Sequence, residues 1–517
     1  MSVICKTRLQ NARLFIFNAP LTLSGKRLSG HFVCFAMVTG IPKQRSTDVL
    51  GTIESVIAWI SDALYSKILI LLLLLGGLFF TWKTGFVQFR LLKEQLRAVT
   101  EKPSDKKGVS SFQALMVSTA SRVGTGNIIG VSTALCLGGF GSVFWMWLIA
   151  IIGSASAFVE STLAQIYKRR GKNGSYGGPA YYIETALKCR PLSVVFTVFL
   201  ILTYGVGFNM LASYNLQSTF SAYAFYDADK SPWIIGLILA VVIGYCLIGG
   251  GSRIIKTTTF LVPIMGVAYV IVSLVIILLN LTSLPSVFAA IFREAFDFEA
   301  IFGGFSGSCI MYGIKRGLFS NEAGVGSAPN ASASADVTHP AKQGLVQVLS
   351  VFLDTLVICS ATAFMCMCSG VEPSAELSGA PYIQASLRAV LGEFGPLFIT
   401  VSMILFAFTT LLGNLFYVDQ CFVNLLGRAP GKRFMLVYRI LASLVIFVGA
   451  GLSADLLWNL SDITMGGMTL INLPVICFLS KYAFRTLKDY EAQRKAGKEP
   501  TFRASDIQLP HKVDYWQ

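Results

Sequence analysis

Charged residues are scarce in this sequence, and histidines are scarcer still. Only 13% of the 517 residues are charged, whereas 54% are hydrophobic, and the mean hydropathy is +0.65. A chain of this composition is far too apolar to be an ordinary soluble domain. We therefore expect an all-α polytopic membrane protein, with the lipid bilayer as its first partner.

The missing residue types also exclude several functions. The three histidines, His31, His339 and His511, lie outside the apolar runs, so a histidine metal site or catalytic triad within the membrane is not expected. No Gly-x-Ser-x-Gly elbow and no paired carboxylates at catalytic spacing occur. The eleven cysteines are scattered, mostly inside apolar runs, which is typical of small buried side chains and not of a disulfide framework. An enzyme is not expected, nor a cofactor.

The net charge of +15, from 42 Lys and Arg against 27 Asp and Glu, does not indicate a nucleic-acid partner. The basic residues cluster in short segments between apolar runs, which is the pattern of cytoplasmic loops in membrane proteins.

Residues 1–61 are predicted to form an N-terminal segment. Residues 1–36 contain five basic and no acidic residues, and they lack an apolar core followed by a cleavage site, so a signal peptide is not expected. Met37 is an alternative start of translation, and both starts stay open. Residues 49–61 are amphipathic and are expected to lie on the membrane surface.

Apolar runs long enough to cross a bilayer occur eleven times. They lie at residues 64–82, 112–137, 143–167, 192–213, 232–250, 258–282, 301–319, 344–369, 395–425, 434–453 and 462–484. The loops alternate between basic and acidic, which predicts an external N-terminus and a cytoplasmic tail at 486–517. The transmembrane domain is expected over residues 62–485, in a bacterial inner or plasma membrane. The basic residues before position 37 do not fit this orientation and favour the later start.

The second run is interrupted in its middle by Gly124, Gly126 and Asn127. Small residues at this spacing can serve close helix packing. Alternatively, the unwound backbone lines a cavity, because a free peptide group at membrane depth needs a partner.

A second interruption, Gly303 to Gly313, lies in the seventh run, five spans later. Spans two to six and seven to eleven can therefore be two five-helix repeats, and an odd number of spans per repeat makes them inverted. This regularity favours a binding site over packing.

Four motifs allow a comparison with known families. They are Gly124-Thr-Gly-Asn-Ile-Ile-Gly-Val131, Phe144-Trp-Met-Trp147, Gly177-Gly-Pro-Ala-Tyr-Tyr182 and Lys315-Arg-Gly-Leu-Phe-Ser-Asn-Glu-Ala-Gly-Val-Gly-Ser-Ala-Pro329. From about residue 50 to 485 the chain resembles the alanine or glycine:cation symporters, also called sodium:alanine symporters. The resemblance implies a LeuT-type 5+5 inverted repeat with one extra N-terminal span, and sodium-driven uptake of a small amino acid.

By this resemblance, Thr125, Gly126 and Asn127 would meet the carboxylate and amine of the substrate. Ile310 and Gly313 would face them from the second interrupted span. Free N–H groups at the positive end of a half-helix suit a carboxylate.

The resemblance also implies a sodium site. Its ligands would be backbone carbonyls near Ala120 and Val123 and the hydroxyls of Thr409 and Thr410. The alternative for the two threonines is that their hydroxyls bond to carbonyls of their own helix.

Three positions depart from the family pattern. A glutamine of the fourth span is replaced by Ala212, a tryptophan after the paired hydroxyls by Asn414, and an aromatic residue that is usually tryptophan by Tyr312. Each change loosens the pocket or alters its polarity. We therefore predict a substrate other than, or larger than, alanine and glycine.

Charged residues inside the spans need partners. Arg122 precedes the interruption by one turn, and its candidate partners in a structural or gating ion pair are Glu160, Asp354 and Asp419. Asn321 and Glu322, in the long motif, are interpreted as part of a gate or hinge, the alternative being a solvated turn.

The main alternative function is proton-coupled amino-acid symport, for which Asp354 or Glu160 would have to titrate. A non-transporting amino-acid sensor would keep the same residues. A channel is not expected, because two repeats within one chain do not supply the ring of subunits that a pore needs. We expect a monomer.

Overall fold

The computed structural model describes residues 47–103, 108–171, 174–248, 250–297, 308–510 and 512–517. Contacts divide the chain into residues 1–53 and residues 54–517, and the architecture below is that of the second unit. The described chain opens with the helix Thr47–Ala63, which contains the whole of the predicted amphipathic stretch. The expectations for residues 1–46 lie outside the described residues.

Eight described helices are long and apolar enough to cross a membrane, since about 20 residues span the hydrocarbon core. They are α1 (Glu54–Lys83), α6 (Ser142–Ile166), α8 (Arg190–Ala222), α9 (Ser231–Ile248), α10 (Gly250–Leu279), α14 (Pro340–Met367), α16 (Phe394–Leu426) and α18 (Ala454–Lys495).

The remaining helices are shorter or carry more charge. They are α2 (Val87–Arg90), α3 (Leu92–Val99), α4 (Ser111–Arg122), α5 (Gly126–Gly138), α7 (Pro179–Ala186), α11 (Leu284–Ala295), α12 (Cys309–Asn321), α13 (Pro329–Ser332), α15 (Ala380–Leu391) and α17 (Lys432–Gly449). Two short antiparallel strands, β1 (Arg169–Gly171) and β2 (Gly174–Tyr176), follow α6.

Within the described residues, each of the eleven predicted spans overlaps a helix, and eight of them lie on the bilayer-length helices. The second span, 112–137, is divided between α4 and α5. Of the seventh, 301–319, the structure describes only the part in α12, so residues 303–307 of the second interruption lie outside the described residues. The tenth lies on α17, which begins at Lys432.

The helices form an inner and an outer group. At the centre, α6 packs against α1, α12 and α14. In the most apolar stretch of 18 residues, 72% of the residues of α6 are buried, whereas in α10 only 28% are buried. The outer helices, and the outward face of α1, expose large aliphatic residues such as Val241 on α9 and Leu71 on α1. A continuous apolar exterior of this kind needs lipid around it.

The C-terminal segment, residues 496–517, packs against the ends of the central helices. The Trp516 indole N–H donates to the Gln165 carbonyl at 2.7 Å, and the Lys168 ammonium lies 3.9 Å from the centre of the Tyr515 ring. Thr338 donates to the Pro500 carbonyl at 2.8 Å. The segment therefore ties the end of α6 to the loop before α14.

Candidate functional site

The site centres on the gap between α4 and α5. The helix α4 ends at Arg122, because Val123 leaves the helical region with φ −74° and ψ 86°. The helix α5 starts three residues later in a π-helical turn, Gly126–Gly130. The last carbonyls of α4 and the first N–H groups of α5 have no partner within their own helices. Because Val123, Thr125 and Asn127 are buried, these groups are not exposed to bulk solvent.

Hydrogen bonds of the Asn127 side chain fix the backbone conformation of the gap. Its Oδ1 accepts from the Gly124 N–H at 2.8 Å. Its Nδ2 donates to Ser320 Oγ on α12 at 2.9 Å and to Asp354 Oδ1 on α14 at 2.7 Å. The side chain is fully buried, so one amide fixes the gap and joins it to two further helices.

The helix α16 packs against the gap through a face of small residues. A Cβ on Gly124 would lie 2.2 Å from Thr410 Oγ1, and a Cβ on Gly413 would lie 2.7 Å from the Ser121 nitrogen. Position 413 therefore requires glycine, because its contact is with backbone, and a side chain at position 124 would displace the Thr410 hydroxyl. The Thr410 hydroxyl is buried and has no hydrogen-bond partner among the described residues.

The two predicted threonine ligands point in different directions. The Thr409 hydroxyl donates to the carbonyls of Leu405 and Phe406 on its own helix, at 3.0 and 3.2 Å. Of the predicted sodium ligands, the structure thus brings Thr410 to the end of α4, where Ala120 and Val123 lie, and turns Thr409 into its own helix.

One aromatic side chain covers the start of α5, and two others pack against it. A Cβ on Gly126 would lie 2.5 Å from Phe319 of α12. The Phe319 ring in turn lies 4.5 Å from the Phe208 ring and 4.9 Å from the Trp458 ring. Nothing in the sequence motif singled out Phe319, and yet it is the residue in contact with Gly126.

Gly313 was expected to face the gap, and the structure places it against α6. A Cβ at Gly313 would lie 2.5 Å from the Ser142 carbonyl, so this glycine permits close contact between α12 and α6. Phe319 and Ser320 face the gap instead, about two turns further along α12. Ile310 is half-buried, as is Tyr312, whose Cβ would lie 2.7 Å from a Cβ on Gly138 at the end of α5.

Buried amides surround the predicted pocket residues on α8 and α16. Asn414 accepts from Ser121 Oγ at 2.7 Å and donates to Asn209 Oδ1 at 3.0 Å. Asn215 donates to Thr125 Oγ1 at 3.1 Å. Ala212 is three residues from each of these two α8 asparagines and so shares their helix face. The polar spacing of 209 and 215 on an apolar helix was the signal that could have identified them.

The expected ion pair of Arg122 is also wrong. Its guanidinium donates to Gln347 Oε1 at 3.0 Å, and it makes no ion pair within 4 Å in the described part of the chain. Gln347 of α14 lies opposite Arg122 and is itself held by Ser118 at 3.0 Å. A neutral amide thus occupies the place expected for a carboxylate.

Glu322 lies in a buried turn and not in a solvated one. It ends α12 with φ +52°, is 1% exposed, and accepts from Ser327 Oγ at 2.6 Å. Asn321 is fully buried beside it. The conformation is rare for a residue other than glycine, asparagine or aspartate.

An ion cluster not expected from the sequence lies one turn before Phe319. Lys315 and Arg316 both reach Asp462 Oδ2 at 3.0 Å. The guanidinium of Arg316 also lies 4.0 Å from the centre of the Trp458 ring. The cluster therefore lies beside Phe319 and Trp458, the aromatic residues next to the start of α5.

The apolar exterior and the buried helix gap define a polytopic membrane protein, and sequence comparison identifies its family. The sodium:alanine symporter family matches residues 50–504, and the chain belongs to this family. It is therefore a membrane transporter and not an enzyme.

Two relatives match over nearly their whole length. A Bacillus subtilis protein named probable sodium/glutamine symporter is 43% identical over 467 residues, covering 90% of this chain and 96% of the relative. The sodium/alanine symporter of Methanococcus maripaludis is 36% identical over 453 residues, covering 85% and 98%. A solved sodium-coupled sialic acid symporter superimposes with a TM-score of 0.44 at 13% identity, covering 84% of this chain and 86% of that one. The family assignment rests on the sequence matches alone.

Proposed function

We propose that this protein imports an amino acid by symport with sodium and binds both at the gap between α4 and α5. The observation that carries the proposal is the Thr410 hydroxyl, which is buried against Gly124 and has no partner among the described residues. Carbonyls at the end of a half-helix together with a hydroxyl are the oxygen ligands that sodium takes in transporters of this kind. Ala120, Val123 and Thr410 would supply them, and Thr409 would join only after its side chain turns.

The substrate carboxylate would bind at the opposite end of the gap. The N–H groups of Thr125, the residue before α5, and of Gly126, its first residue, lie at the positive end of a helix, which favours an anion. Phe319 contacts Gly126 in this conformation, so its ring must move to admit a substrate. Because Phe319 belongs to α12, this movement would couple substrate binding at the gap to the conformational change of the transporter.

We infer that the substrate carries a polar side chain larger than that of alanine. Three buried atoms on the same stretch of α8 as Ala212 lack partners among the described residues: Asn209 Nδ2, Ser213 Oγ and Asn215 Oδ1. Unpaired buried donors and acceptors are costly, and a ligand that pairs with them gains specificity. A carboxamide offers both a donor and an acceptor, so glutamine is the first substrate to test.

The proposed architecture follows the sequence-based expectation. Spans two to six and seven to eleven would be inverted LeuT-type repeats that alternate access around the two interrupted helices. The N-terminus would be external, and the C-terminal segment cytoplasmic, in a bacterial membrane. A monomer suffices for this mechanism.

The two threonines provide a matched test of the sodium site. The purified protein is reconstituted in liposomes, and uptake of radiolabelled glutamine and alanine is measured against sodium concentration at constant pH. Thr410→Val keeps the shape of the side chain and should weaken the apparent sodium affinity roughly tenfold or more. Thr409→Val should change it little. Equal effects of the two variants would contradict the assignment, and uptake that persists when potassium replaces sodium would favour proton coupling.

A further inference from the structure

The C-terminal segment, residues 496–517, turns back sharply after α18. This helix has 42 residues, about twice the number that cross the hydrocarbon core, so part of it projects beyond the bilayer. Gly497, with φ +72°, takes the left-handed conformation that commonly follows a helix. The Gln493 amide then pairs with the carbonyl and the N–H of Thr501, at 2.8 and 3.0 Å. The segment therefore begins at a turn that is held against α18.

Four apolar side chains of the segment are buried, whereas a solvated tail would expose them. Phe502, Ile507, Val513 and Trp516 are each at most 7% exposed. The Phe502 ring lies 5.4 Å from the Trp516 ring and 5.3 Å from the ring of His339, the residue before α14. Because burial of apolar side chains is favourable, the segment is docked on the protein by a small core of its own.

The end of the segment contacts two elements at once. The Trp516 indole N–H donates to the Gln165 carbonyl of α6 at 2.7 Å. The Tyr515 hydroxyl donates to Asp336 Oδ1 at 3.2 Å. Asp336 belongs to residues 333–339, the loop that joins α13 to α14. The segment therefore links this loop to the end of α6.

The same part of α6 also binds the loop directly. Gln165 Nε2 and Lys168 Nζ donate to the Ala335 carbonyl at 3.0 and 2.9 Å. The Lys168 ammonium also lies 3.9 Å from the centre of the Tyr515 ring. The C-terminal segment thus covers the contact between α6 and the loop, and it adds bonds to both sides of that contact.

The loop is the continuation of α12, whose Phe319 has to move to admit a substrate. The turn that follows α12 is fixed by the bond from Ser327 Oγ to Glu322 at 2.6 Å, so a displacement of α12 is passed on to the loop. The helices α12 and α6 are also in close contact, since a Cβ on Gly317 would lie 2.7 Å from Ile149. A segment that links the loop to α6 therefore resists movement of α12 relative to α6.

We propose that the C-terminal segment is an autoinhibitory strap, which restrains α12 against α6 and thereby slows the transport cycle. The inference rests on the proposed function, because the restrained movement is the one that admits a substrate at the gap. When the strap detaches, the loop keeps its bonds to Gln165 and Lys168 but loses those to the strap. The movement of α12 then becomes easier, while the residues at the gap are unchanged.

The test measures the rate of uptake when the strap is detached. Full-length protein with Tyr515→Ala and Trp516→Ala is reconstituted in liposomes, and initial uptake is measured at saturating sodium with the radiolabelled amino acid that the wild type transports. Loss of a hydrogen bond of ordinary net strength shifts an equilibrium about two- to tenfold. The maximal rate should rise by about that factor. The sodium concentration at half-maximal uptake should change much less, because the substituted residues lie outside the gap.

Two further variants make the result specific. Lys512→Ala changes an exposed side chain of the same segment and should leave the rate as in the wild type. Tyr515→Phe removes only the hydroxyl that contacts Asp336 and should raise the rate to a smaller degree. Thermal unfolding shows which variants are folded, and Tyr515→Phe decides the question if the double variant is not.

The outcomes separate the strap from the proposed function. An unchanged or slower maximal rate in the folded double variant would overturn the strap. An equal rise in Lys512→Ala would also overturn it, because the effect would not depend on the docking contacts. Absence of sodium-dependent uptake by the wild type would instead overturn the proposed function itself.

Discussion

Replacing Gly124 by alanine tests how closely α16 fits against the gap. The added methyl would lie 2.2 Å from Thr410 Oγ1 and 3.2 Å from Thr410 Cβ and Cγ2. Carbon and oxygen atoms that are not bonded to each other do not approach to 2.2 Å. Either the Thr410 side chain therefore turns or α16 moves away. Both adjustments displace the oxygen that we assign to sodium.

The magnitude follows from two opposing terms. Overpacking of a buried site costs about 1–3 kcal/mol, and the smaller freedom of alanine in the unfolded chain returns about 0.4–1 kcal/mol. We expect a net loss of about 1–2 kcal/mol in stability, with a larger effect on sodium affinity, since the displaced oxygen is a ligand. Thermal unfolding and sodium-dependent uptake of the reconstituted protein measure the two effects.

A matched control and a rescue complete the experiment. Gly266→Ala places a methyl in α10 with no atom within 4 Å, and it should leave uptake unchanged. Adding Thr410→Ala to Gly124→Ala removes the 2.2 Å contact with Oγ1 and leaves Cβ at 3.2 Å, so most of the lost stability should return while the sodium requirement stays weakened. Full uptake and unchanged stability in Gly124→Ala would refute the reasoning.

Two further predictions concern the C-terminal segment. Trp516→Ala removes a buried indole and its bond to Gln165, which should cost about 3 kcal/mol or more locally and speed proteolysis of residues 496–517. Intact protection of the segment would contradict this. Burial lowers the pKa of Lys168 to about 7, against the opposing effect of Asp336. When the segment detaches, this pKa returns toward its ordinary value of 10.5, so docking should strengthen as the pH rises from about 7 toward 10. Lys168→Met should abolish this pH dependence of proteolysis, and an identical pH profile in both proteins would count against it.

The gap itself could be predicted from the sequence, because two glycines flanking Thr125 weaken the helix that would otherwise continue. Which of Thr409 and Thr410 faces the gap could not be predicted from the sequence. Adjacent residues on a helix point about 100° apart, so only one of the two can face a given point. The rotation of α16 decides which one, and Gly413 sets that rotation by its contact with Ser121.

The partners of the gap were missed for a similar reason. Gly313 was expected at the site, but it packs on Ser142, and this contact turns Phe319 and Ser320 toward α5. The bond between Asn127 and Asp354 joins residues 227 positions apart, and no local pattern predicts it. Local sequence thus predicted where the backbone opens, and tertiary packing determined which side chains meet it.

The central claim is that sodium and a polar amino acid bind together to the folded transporter. The most direct measurement is the thermal unfolding of the purified protein with a panel of amino acids, in sodium and in potassium. A ligand that binds only the folded state raises its stability, so glutamine should raise the unfolding temperature in sodium and leave it unchanged in potassium, with alanine less effective. A flat panel in sodium, or an equal rise in both salts, would contradict the account.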